Sequence, residues 1–188
     1  MLKKELRSSL LKKRRSMSET EWREKSDRLG SYLQNFSLFQ KAQTVLAYIS
    51  FRQEPDLSLL FTNVGEKTTF STKTWGLPRC VEKSLFWHIW QPGNSLQKGA
   101  YGILEPKLNA PLLQSSKVDL ILVPAVACNF NGYRLGYGGG FYDRMLSQEE
   151  WTSKPTIGIV FEFAYLQDLP IDSWDKPLDF VCTENGIK

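Results

Sequence analysis

One almost uninterrupted apolar run constrains the fold of this chain more than any other feature. The run covers residues 118–127 and reads VDLILVPAVA, in which Asp119 is the only charged residue. A strand with apolar side chains at successive positions is buried on both faces, which is typical of parallel sheets that carry helices on each side. We therefore expect an α/β fold with three layers, α/β/α, around a largely parallel central sheet.

The segments around this run alternate between helical and extended patterns. A basic helix is predicted at 2–16 and a second helix at 19–35, which begins with the capping-box pattern of Ser18 and Glu21. The other predictions are strands at 45–49, 67–71, 84–90, 156–160 and 180–182, helices at 57–64 and 141–147, and a loop containing glycine and proline between 71 and 84. In such sheets ligands usually bind beyond the carboxyl ends of the strands.

Length and composition limit what the chain can be. With 188 residues, 41% of them hydrophobic and 23% charged, it matches one ordinary globular domain, and we expect residues 1–188 to form it. No run approaches the roughly 20 apolar residues of a membrane span, and the charged start is unlike a signal peptide, so we expect a cytoplasmic protein. Widely separated Cys80, Cys128 and Cys182 favour reduced thiols over disulfides or a zinc site.

The net charge of +4 is concentrated near the amino terminus. Lys3, Lys4, Arg7 and the run at 12–15 are basic, and Glu5 is the only acid among them. Such a helix suits an acidic partner, which could be nucleic acid, a phosphate-bearing ligand or a polyanionic metabolite. Taken alone, these residues favour the simpler interpretation of a basic helix whose charges are solvated.

The segment with the most chemical information follows the apolar run. It covers residues 131–144 and reads NGYRLGYGGGFYDR. Clustered glycines remove the Cβ atoms that would keep a ligand away from the backbone, and the flanking Arg134 and Arg144 can pair with phosphate oxygens. The spacing fits neither the Walker motif nor the dinucleotide-binding fingerprint. The residues alone leave two interpretations open, an anion-binding loop and a structural glycine turn.

This glycine-rich segment, together with VPAVA at 123–127, closely resembles the signature of the 5-formyltetrahydrofolate cyclo-ligase family. Further matches follow the family's order: KKELR at 3–7, YISFRQEPD at 48–56, LPR at 77–79, YGILEP at 101–106 and DKPLD at 175–179. The resemblance implies an enzyme that uses ATP as co-substrate and Mg²⁺ as cofactor to convert 5-formyltetrahydrofolate into 5,10-methenyltetrahydrofolate. It implies release of ADP and phosphate by way of a phosphorylated formyl group, an iminium phosphate.

The resemblance also implies roles for individual residues. The implied ATP-binding residues are Lys3, Arg7, Arg134, Leu135, Gly136, Tyr137, Gly138, Gly139, Gly140, Phe141 and Tyr142, of which Arg134 and Tyr142 are also implied to be catalytic. The implied folate-binding residues are Phe51, Glu54, Asp56, Tyr101 and Tyr137. The implied metal ligands are Asp143 and Asp179. Without the resemblance, Glu54 and Asp56 would be read as a turn before a helix, and Asp179 as an ordinary carboxylate beside a strand.

The chain departs from the family's pattern at a few positions. Asn129 stands where bacterial relatives commonly have aspartate, and Tyr137 and Gly139 stand where some eukaryotic relatives have arginine and lysine. The roles of Asn129 and Arg79 are left open. Two other functions remain as alternatives: an enzyme related to sugar-phosphate isomerases or CoA-transferases, and a nucleic-acid-binding module that uses the basic helix. We expect a monomer whose partners are the folate and ATP, without nucleic acid or membrane.

Overall fold

Helices and strands alternate along the computed structural model, which describes residues 2–61 and 73–188. The helices are α1 (Lys3–Arg15), α2 (Glu19–Asn35), α3 (Ser37–Lys41), α4 (Ser58–Phe61), α5 (Phe141–Leu146) and α6 (Glu149–Thr152). The strands are β1 (Thr44–Leu46), β2 (Thr74–Val81), β3 (Ser84–Trp90), β4 (Leu96–Lys98), β5 (Leu104–Pro106), β6 (Leu120–Pro124), β7 (Ala127–Asn129), β8 (Arg134–Leu135), β9 (Thr156–Ile159), β10 (Tyr165–Leu166), β11 (Phe180–Thr183) and β12 (Gly186–Ile187).

Seven of these strands form the central sheet, in the order β12-β11-β9-β6-β1-β2-β3. The pairs from β11 through β2 are all parallel, whereas β12 and β3 run antiparallel to their neighbours at the two edges. The prediction of a largely parallel sheet is therefore confirmed. A three-stranded sheet, β10-β7-β8, and the pair β4-β5 lie outside it.

Helices cover both faces of the central sheet. Along β6, Leu120 and Leu122 belong to a core cluster that includes Leu29 and Leu33 of α2. The alternate residues of β6, among them Ile121, belong to a second cluster with residues of α1, α5 and α6. Because successive side chains of a strand point to opposite faces, the two clusters lie on opposite sides of the sheet. The three-layer α/β/α prediction is confirmed.

Strand β2 corrects one prediction. Gly76 and Pro78 favoured a loop between residues 71 and 84, but both lie within this strand. Its pairing with β1 and β3, together with the burial of Trp75 and Leu77, outweighs the low strand propensity of glycine and proline. A Cβ atom at Gly76 would clash with Leu46, so close packing also explains the glycine.

Other predicted segments are described only in part, lie outside the described residues or divide between two sheets. The helix predicted at 57–64 is described only as far as Phe61, and the strand predicted at 67–71 lies outside the described residues. The apolar run at 118–127 divides between two sheets, because the chain leaves the central sheet after Pro124 and continues as β7. This change of sheet directs the following glycine loop across the carboxyl edge of the central strands.

Two broader expectations concern the cysteines and the membrane. Cys80, Cys128 and Cys182 are free thiols, with Cys128 and Cys182 buried. Burial raises the pKa of the Cys80 thiol to about 11, so this thiol stays protonated at neutral pH. In the part of the chain that the structure describes, no helix combines the length and apolar character needed to cross a membrane.

Candidate active site

A cavity of about 550 Å³ opens at the carboxyl edge of the central sheet. It is lined by Tyr48 and Ile49, which follow β1, and by Pro124 at the end of β6. The glycine loop and α1 complete one side of the cavity. Its volume lies within the range of small-molecule sites, and its position agrees with the general rule for ligands of open α/β sheets.

The glycine loop connects β8 to α5 and lies against the first helix. The Arg7 Nε donates a hydrogen bond of 2.7 Å to the carbonyl oxygen of Gly136. Gly138 and Gly140 have φ values of +100° and +65°, which residues with a Cβ rarely adopt. A Cβ atom at Gly138 would lie 3.7 Å from the Arg7 guanidinium. The loop therefore presents its bare backbone beside a cation.

Lys3 begins the same helix and faces two carboxylates that the sequence motifs did not single out. Its Nζ lies 2.7 Å from an oxygen of Asp172 and 2.5 Å from an oxygen of Asp175, and all three residues line the cavity. Asp175 is the more buried carboxylate of the two, with its side chain 9% exposed. Its presence in the matched segment DKPLD was the one signal available from sequence.

Arg134 and Asp143 form a second ion pair at the cavity, with 2.7 Å between the Arg134 Nη2 and Asp143 Oδ1. The Arg134 guanidinium also lies 5.3 Å from the centre of the Tyr142 ring. Both the Arg134 Nε and the Tyr142 hydroxyl are buried without a hydrogen-bond partner. Burial raises the pKa of Tyr142 well above its usual value, so this phenol is a neutral hydrogen-bond donor.

A strained turn directs Glu54 into the cavity. The backbone N–H of Glu54 donates to the carbonyl oxygen of Phe51 at 3.1 Å, and the two residues between them, Arg52 and Gln53, have φ values of 51° and 55°. Left-handed conformations of non-glycine residues cost of order 1–3 kcal/mol each and persist only where surrounding contacts enforce them. The Trp22 Nε1, which donates to the Glu54 carbonyl oxygen at 2.8 Å, is one such contact.

Glu54 is buried although it carries a carboxyl group. Its side chain accepts a hydrogen bond of 3.1 Å from the backbone N–H of Phe51. Burial raises the pKa of Glu54 to about 7, against the opposing influence of Arg14 and of hydrogen bonds from Phe51 and Tyr137. The carboxyl group therefore titrates close to neutral pH.

Arg14 is a further residue that the sequence did not identify. The run at 12–15 looked like a solvated face, but Arg14 is only 3% exposed. Its Nη2 donates a short hydrogen bond to the Tyr137 hydroxyl, and its Nη1 donates to the carbonyl oxygen of Ala125 at 3.4 Å. The helical spacing from Leu10 could have revealed this orientation, since residues four apart share one face of a helix.

Most of the residues implied by the resemblance line this one cavity: Lys3, Arg7, Phe51, Glu54, Tyr101, Arg134, Leu135, Gly136, Tyr137, Gly138, Gly139, Gly140, Phe141, Tyr142 and Asp143. Tyr101 lies at the rim, 53% exposed, with its ring centre 5.6 Å from that of Phe141. The cavity thus joins the implied nucleotide residues of the loop with the implied folate residues of the 51–54 turn.

Asp56 and Asp179 are not brought to the cavity. Asp56 accepts hydrogen bonds from the backbone and hydroxyl of Ser58, at 3.2 and 2.5 Å, at the beginning of α4. Asp179 accepts two hydrogen bonds of 2.8 Å from Thr156, the first residue of β9, at the amino edge of the sheet. The glycine loop and Asp143 lie at the opposite edge, so the structure does not bring Asp179 together with Asp143.

The two positions whose roles were left open have local partners. Asn129 accepts hydrogen bonds from the backbone of Asn131 and Tyr133, at 3.1 and 2.9 Å, and so holds the turn before the glycine loop. Arg79 donates to the carbonyl oxygen of Pro106, and its Nη1 lies 3.9 Å from Glu105. Each side chain therefore has a structural partner away from the loop glycines.

The carboxylates at the cavity suit a metal ion that is held jointly by the protein and by substrate phosphates. Over residues 2–61 and 73–188, no group of three or more His, Cys, Asp or Glu side chains is arranged to hold a metal. Mg²⁺ in phosphoryl-transfer sites is usually held by one or two carboxylates and by the substrate phosphates. Asp143 and Asp175, which both line the cavity, fit this kind of site.

Comparisons with known proteins identify the family. The family model for 5-formyltetrahydrofolate cyclo-ligases matches residues 1–184. A protein of that name from Haemophilus influenzae is 32% identical over 148 residues, an alignment that covers 72% of this chain and 79% of that protein. A protein of the same name from Escherichia coli is 28% identical over 179 residues, which cover 93% of this chain and 96% of that protein. The solved 5,10-methenyltetrahydrofolate synthetase of Aquifex aeolicus superposes with a TM-score of 0.85 at 34% identity, covering 100% of this chain and 92% of that one. These matches confirm the resemblance in the motifs, and the chain belongs to the 5-formyltetrahydrofolate cyclo-ligase family of enzymes.

Proposed function

We propose that this chain catalyses the ATP- and Mg²⁺-dependent closure of 5-formyltetrahydrofolate to 5,10-methenyltetrahydrofolate, with release of ADP and phosphate. The observation that carries the proposal is one cavity with two chemically different walls. One wall consists of the glycine loop with Lys3, Arg7 and Arg134, and suits phosphates. The other contains Phe51 and Glu54 and suits an aromatic heterocycle with N–H donors.

The cationic wall matches what phosphoryl transfer requires. This chemistry depends mainly on positioning the phosphates and neutralising their charge, so it needs loop backbone and cations rather than a nucleophilic side chain. Lys3 and Arg7 supply charge from α1. Arg134 adds a third cation, and both Arg134 and Tyr142 line the cavity beside the glycine loop, where the transferring phosphoryl group is proposed to lie.

Asp143 and Asp175 are the carboxylates proposed to hold Mg²⁺. Arg134 orients Asp143 and Lys3 orients Asp175, so each carboxylate is fixed before the metal arrives. When bound there with the nucleotide, the ion would neutralise charge on the β- and γ-phosphates. Asp175 takes the place that the sequence resemblance gave to Asp179, because Asp175 lines the cavity and Asp179 is bonded to Thr156.

The second wall is proposed to bind the folate. The edge of a pterin ring carries N–H groups that can donate two hydrogen bonds to one carboxylate, and Glu54 is a buried carboxylate that lines the cavity. Phe51, Tyr101 and Tyr137 offer aromatic faces for the pterin or aminobenzoate ring. A folate bound in this way would extend its formyl group toward the glycine loop.

The proposed reaction begins with attack of the formyl oxygen on the γ-phosphorus of ATP, which breaks the bond to the ADP oxygen. N10 of the folate then bonds to the formyl carbon and loses its proton. Cleavage of the carbon–oxygen bond releases phosphate and leaves the methenyl bridge. Arg134 and Tyr142 would act in the first step, by donating to the phosphoryl oxygens as the charge moves from ATP to the formyl group.

The test is the absorbance of the conjugated methenyl product after the protein is mixed with 5-formyltetrahydrofolate, ATP and Mg²⁺. We expect the signal to require ATP, to disappear when Mg²⁺ is chelated and to be lost in Asp143→Ala. Asp27→Ala, an exposed aspartate on α2, is the matched control and should retain activity. Absence of the product signal with the unmodified protein under all conditions would refute the proposal.

The two alternatives raised by the sequence have less support. Lys3 and Arg7 line the cavity, so the most prominent cations of the basic helix are explained without nucleic acid. Relatives of sugar-phosphate isomerases or CoA-transferases would normally have a catalytic glutamate or a paired acid and base in the glycine loop, and residues 131–144 contain no glutamate. The monomeric state and the cytoplasmic location stay predictions.

A further inference from the structure

We infer that Arg14, which lies behind the cavity wall, is a positioning residue that keeps Glu54 ionised and oriented for folate binding by way of the Tyr137 hydroxyl. This inference rests on the proposed folate site and adds a residue that no motif of the chain singles out. Arg14 does not line the cavity, whereas Tyr137 and Glu54 both do. Any effect of Arg14 on a ligand must therefore pass through these neighbours.

Polar side chains connect Arg14 with Glu54 behind the cavity wall. The Arg14 Nη2 donates to the Tyr137 hydroxyl. Arg14 and Tyr137 both lower the pKa of Glu54, against the effect of burial. The Arg14 Nη1 is held by the carbonyl oxygen of Ala125, while its Nε is buried without a partner. The three residues come from α1, the glycine loop and the 51–54 turn, so the contacts connect separate parts of the cavity wall.

Because Arg14 and Glu54 are both buried, the presence of Arg14 affects whether Glu54 is ionised. Arg14 and Glu54 are 3% and 4% exposed, and a buried charge without a partner is strongly destabilising. Removing the cation should therefore favour the neutral form of the acid. Glu54 would then present a protonated carboxyl group, which can no longer accept two hydrogen bonds from a pterin edge.

The other charged or titratable groups near Glu54 do not replace Arg14. Arg52 also favours the carboxylate, but it is exposed on the same turn, where water screens its charge. Tyr48 and Tyr142 face Glu54 from the segment after β1 and from α5, and burial raises the pKa of both, so they remain neutral. Asp56 would add a like charge.

The test measures the ionisation of Glu54 directly and then its effect on folate binding. The protein is labelled with ¹³C at the glutamate carboxyl carbons, and the signal of Glu54, assigned by its loss in Glu54→Gln, is followed from about pH 5 to about pH 9. In parallel, the dissociation constant of 5-formyltetrahydrofolate is measured over the same range. The variants are Arg14→Met, Arg14→Lys and Tyr137→Phe, and Arg15→Met, an exposed arginine of the same helix, is the matched control.

Arg14→Met should move the titration midpoint of Glu54 upward by about one pH unit or more, since a nearby opposite charge lowers a carboxyl pKa by about that amount. Folate binding should become about five-fold weaker near pH 7 and recover toward pH 9, where Glu54 ionises again. Arg14→Lys retains the charge and should stay close to the unmodified protein. Tyr137→Phe removes the bridging hydroxyl and should also raise the midpoint.

Several results would overturn the inference. One is an unchanged midpoint in Arg14→Met and Tyr137→Phe; another is the same shift in Arg15→Met. A loss of folate affinity that is equal at every pH would indicate a purely structural role. If Arg14→Met does not fold, Tyr137→Phe still decides the question, because it leaves the buried cation in place and removes only the hydroxyl.

The two proposals can fail separately. If the unmodified protein does not bind 5-formyltetrahydrofolate at all, the proposed function fails and with it the role of Arg14 in folate binding. The carboxyl titration needs no folate, so it would still establish or refute the effect of Arg14 on Glu54.

Discussion

Replacing Glu54 by glutamine should stabilise the protein at neutral and alkaline pH but not at acid pH. Burial raises the pKa of Glu54 from 4.5 to about 7 in the folded protein. Between these two values the folded state binds more protons than the unfolded state, so the free energy of unfolding falls as the pH rises. Glutamine has nearly the same shape and no charge to bury, so Glu54→Gln should abolish this fall.

The magnitude follows from the displacement of the pKa. The change from 4.5 to about 7, at 1.36 kcal/mol for each pKa unit, corresponds to about 3 kcal/mol. Glu54 is only 4% exposed, so little of this energy is lost to solvent screening. The stability difference between Glu54→Gln and the unmodified protein should be least near pH 4.5, increase through pH 7 and become constant by about pH 8.

Urea unfolding of both proteins at a series of pH values measures this difference, and subtracting the two curves removes the contribution of all other titrating groups. A difference that does not change with pH, or that falls as the pH rises, would refute the argument that Glu54 is ionised at a cost inside the fold. Folate affinity should decrease in the same variant, which would link the instability of Glu54 to its proposed role.

Three further substitutions test the metal site and the loop. Asp179→Ala should lower the free energy of unfolding by about 1–3 kcal/mol, because Thr156 loses its hydrogen-bond acceptor. The Mg²⁺ dependence of turnover should stay unchanged. A higher Mg²⁺ requirement in this variant would indicate that Asp179 is a metal ligand after all. Asp175→Asn should raise the Mg²⁺ concentration for half-maximal turnover by about ten-fold, since it removes one of the two proposed carboxylate ligands. Titration of turnover with Mg²⁺ measures this change, and an unchanged titration would contradict the role of Asp175 as a metal ligand. Gly138→Ala should strain the loop by about 1–2 kcal/mol, because Gly138 has a φ of +100°. The KM for ATP should rise several-fold, whereas the dissociation constant of the folate should change little. An equal effect on both ligands would mean that the loop is not specific to the nucleotide.

Strands of the central sheet could be predicted from the sequence where their own residues favour a strand, but not where pairing with neighbouring strands determines the structure. β6 is apolar at successive positions, so its burial on both faces is evident from the residues alone. Within β2, Gly76 and Pro78 argue locally against a strand, and only the neighbouring strands make this segment extended. Long-range pairing of this kind leaves no periodic trace in one sequence.

At the site, too, sequence motifs identified some of the residues, and only the structure revealed the others. The glycine loop, Lys3 and Arg7 were identified because they occur together in a recognisable order. The segment DKPLD contains both Asp175 and Asp179, and sequence alone could not tell which of them faces the cavity. Arg14 was hidden in a run of cations, since a charge pattern does not show which member of the run is turned inward.

Several side chains in and behind the cavity wall share a physical property, which is that they weaken the fold when no ligand is bound. Arg14 and Glu54 are buried charges, and the Arg134 Nε and the Tyr142 hydroxyl are buried donors without partners. Local rules fail most often at functional sites, because ligand binding requires groups that the protein itself does not satisfy. A ligand that binds only the folded protein stabilises it, so ATP and the folate should each raise the free energy of unfolding.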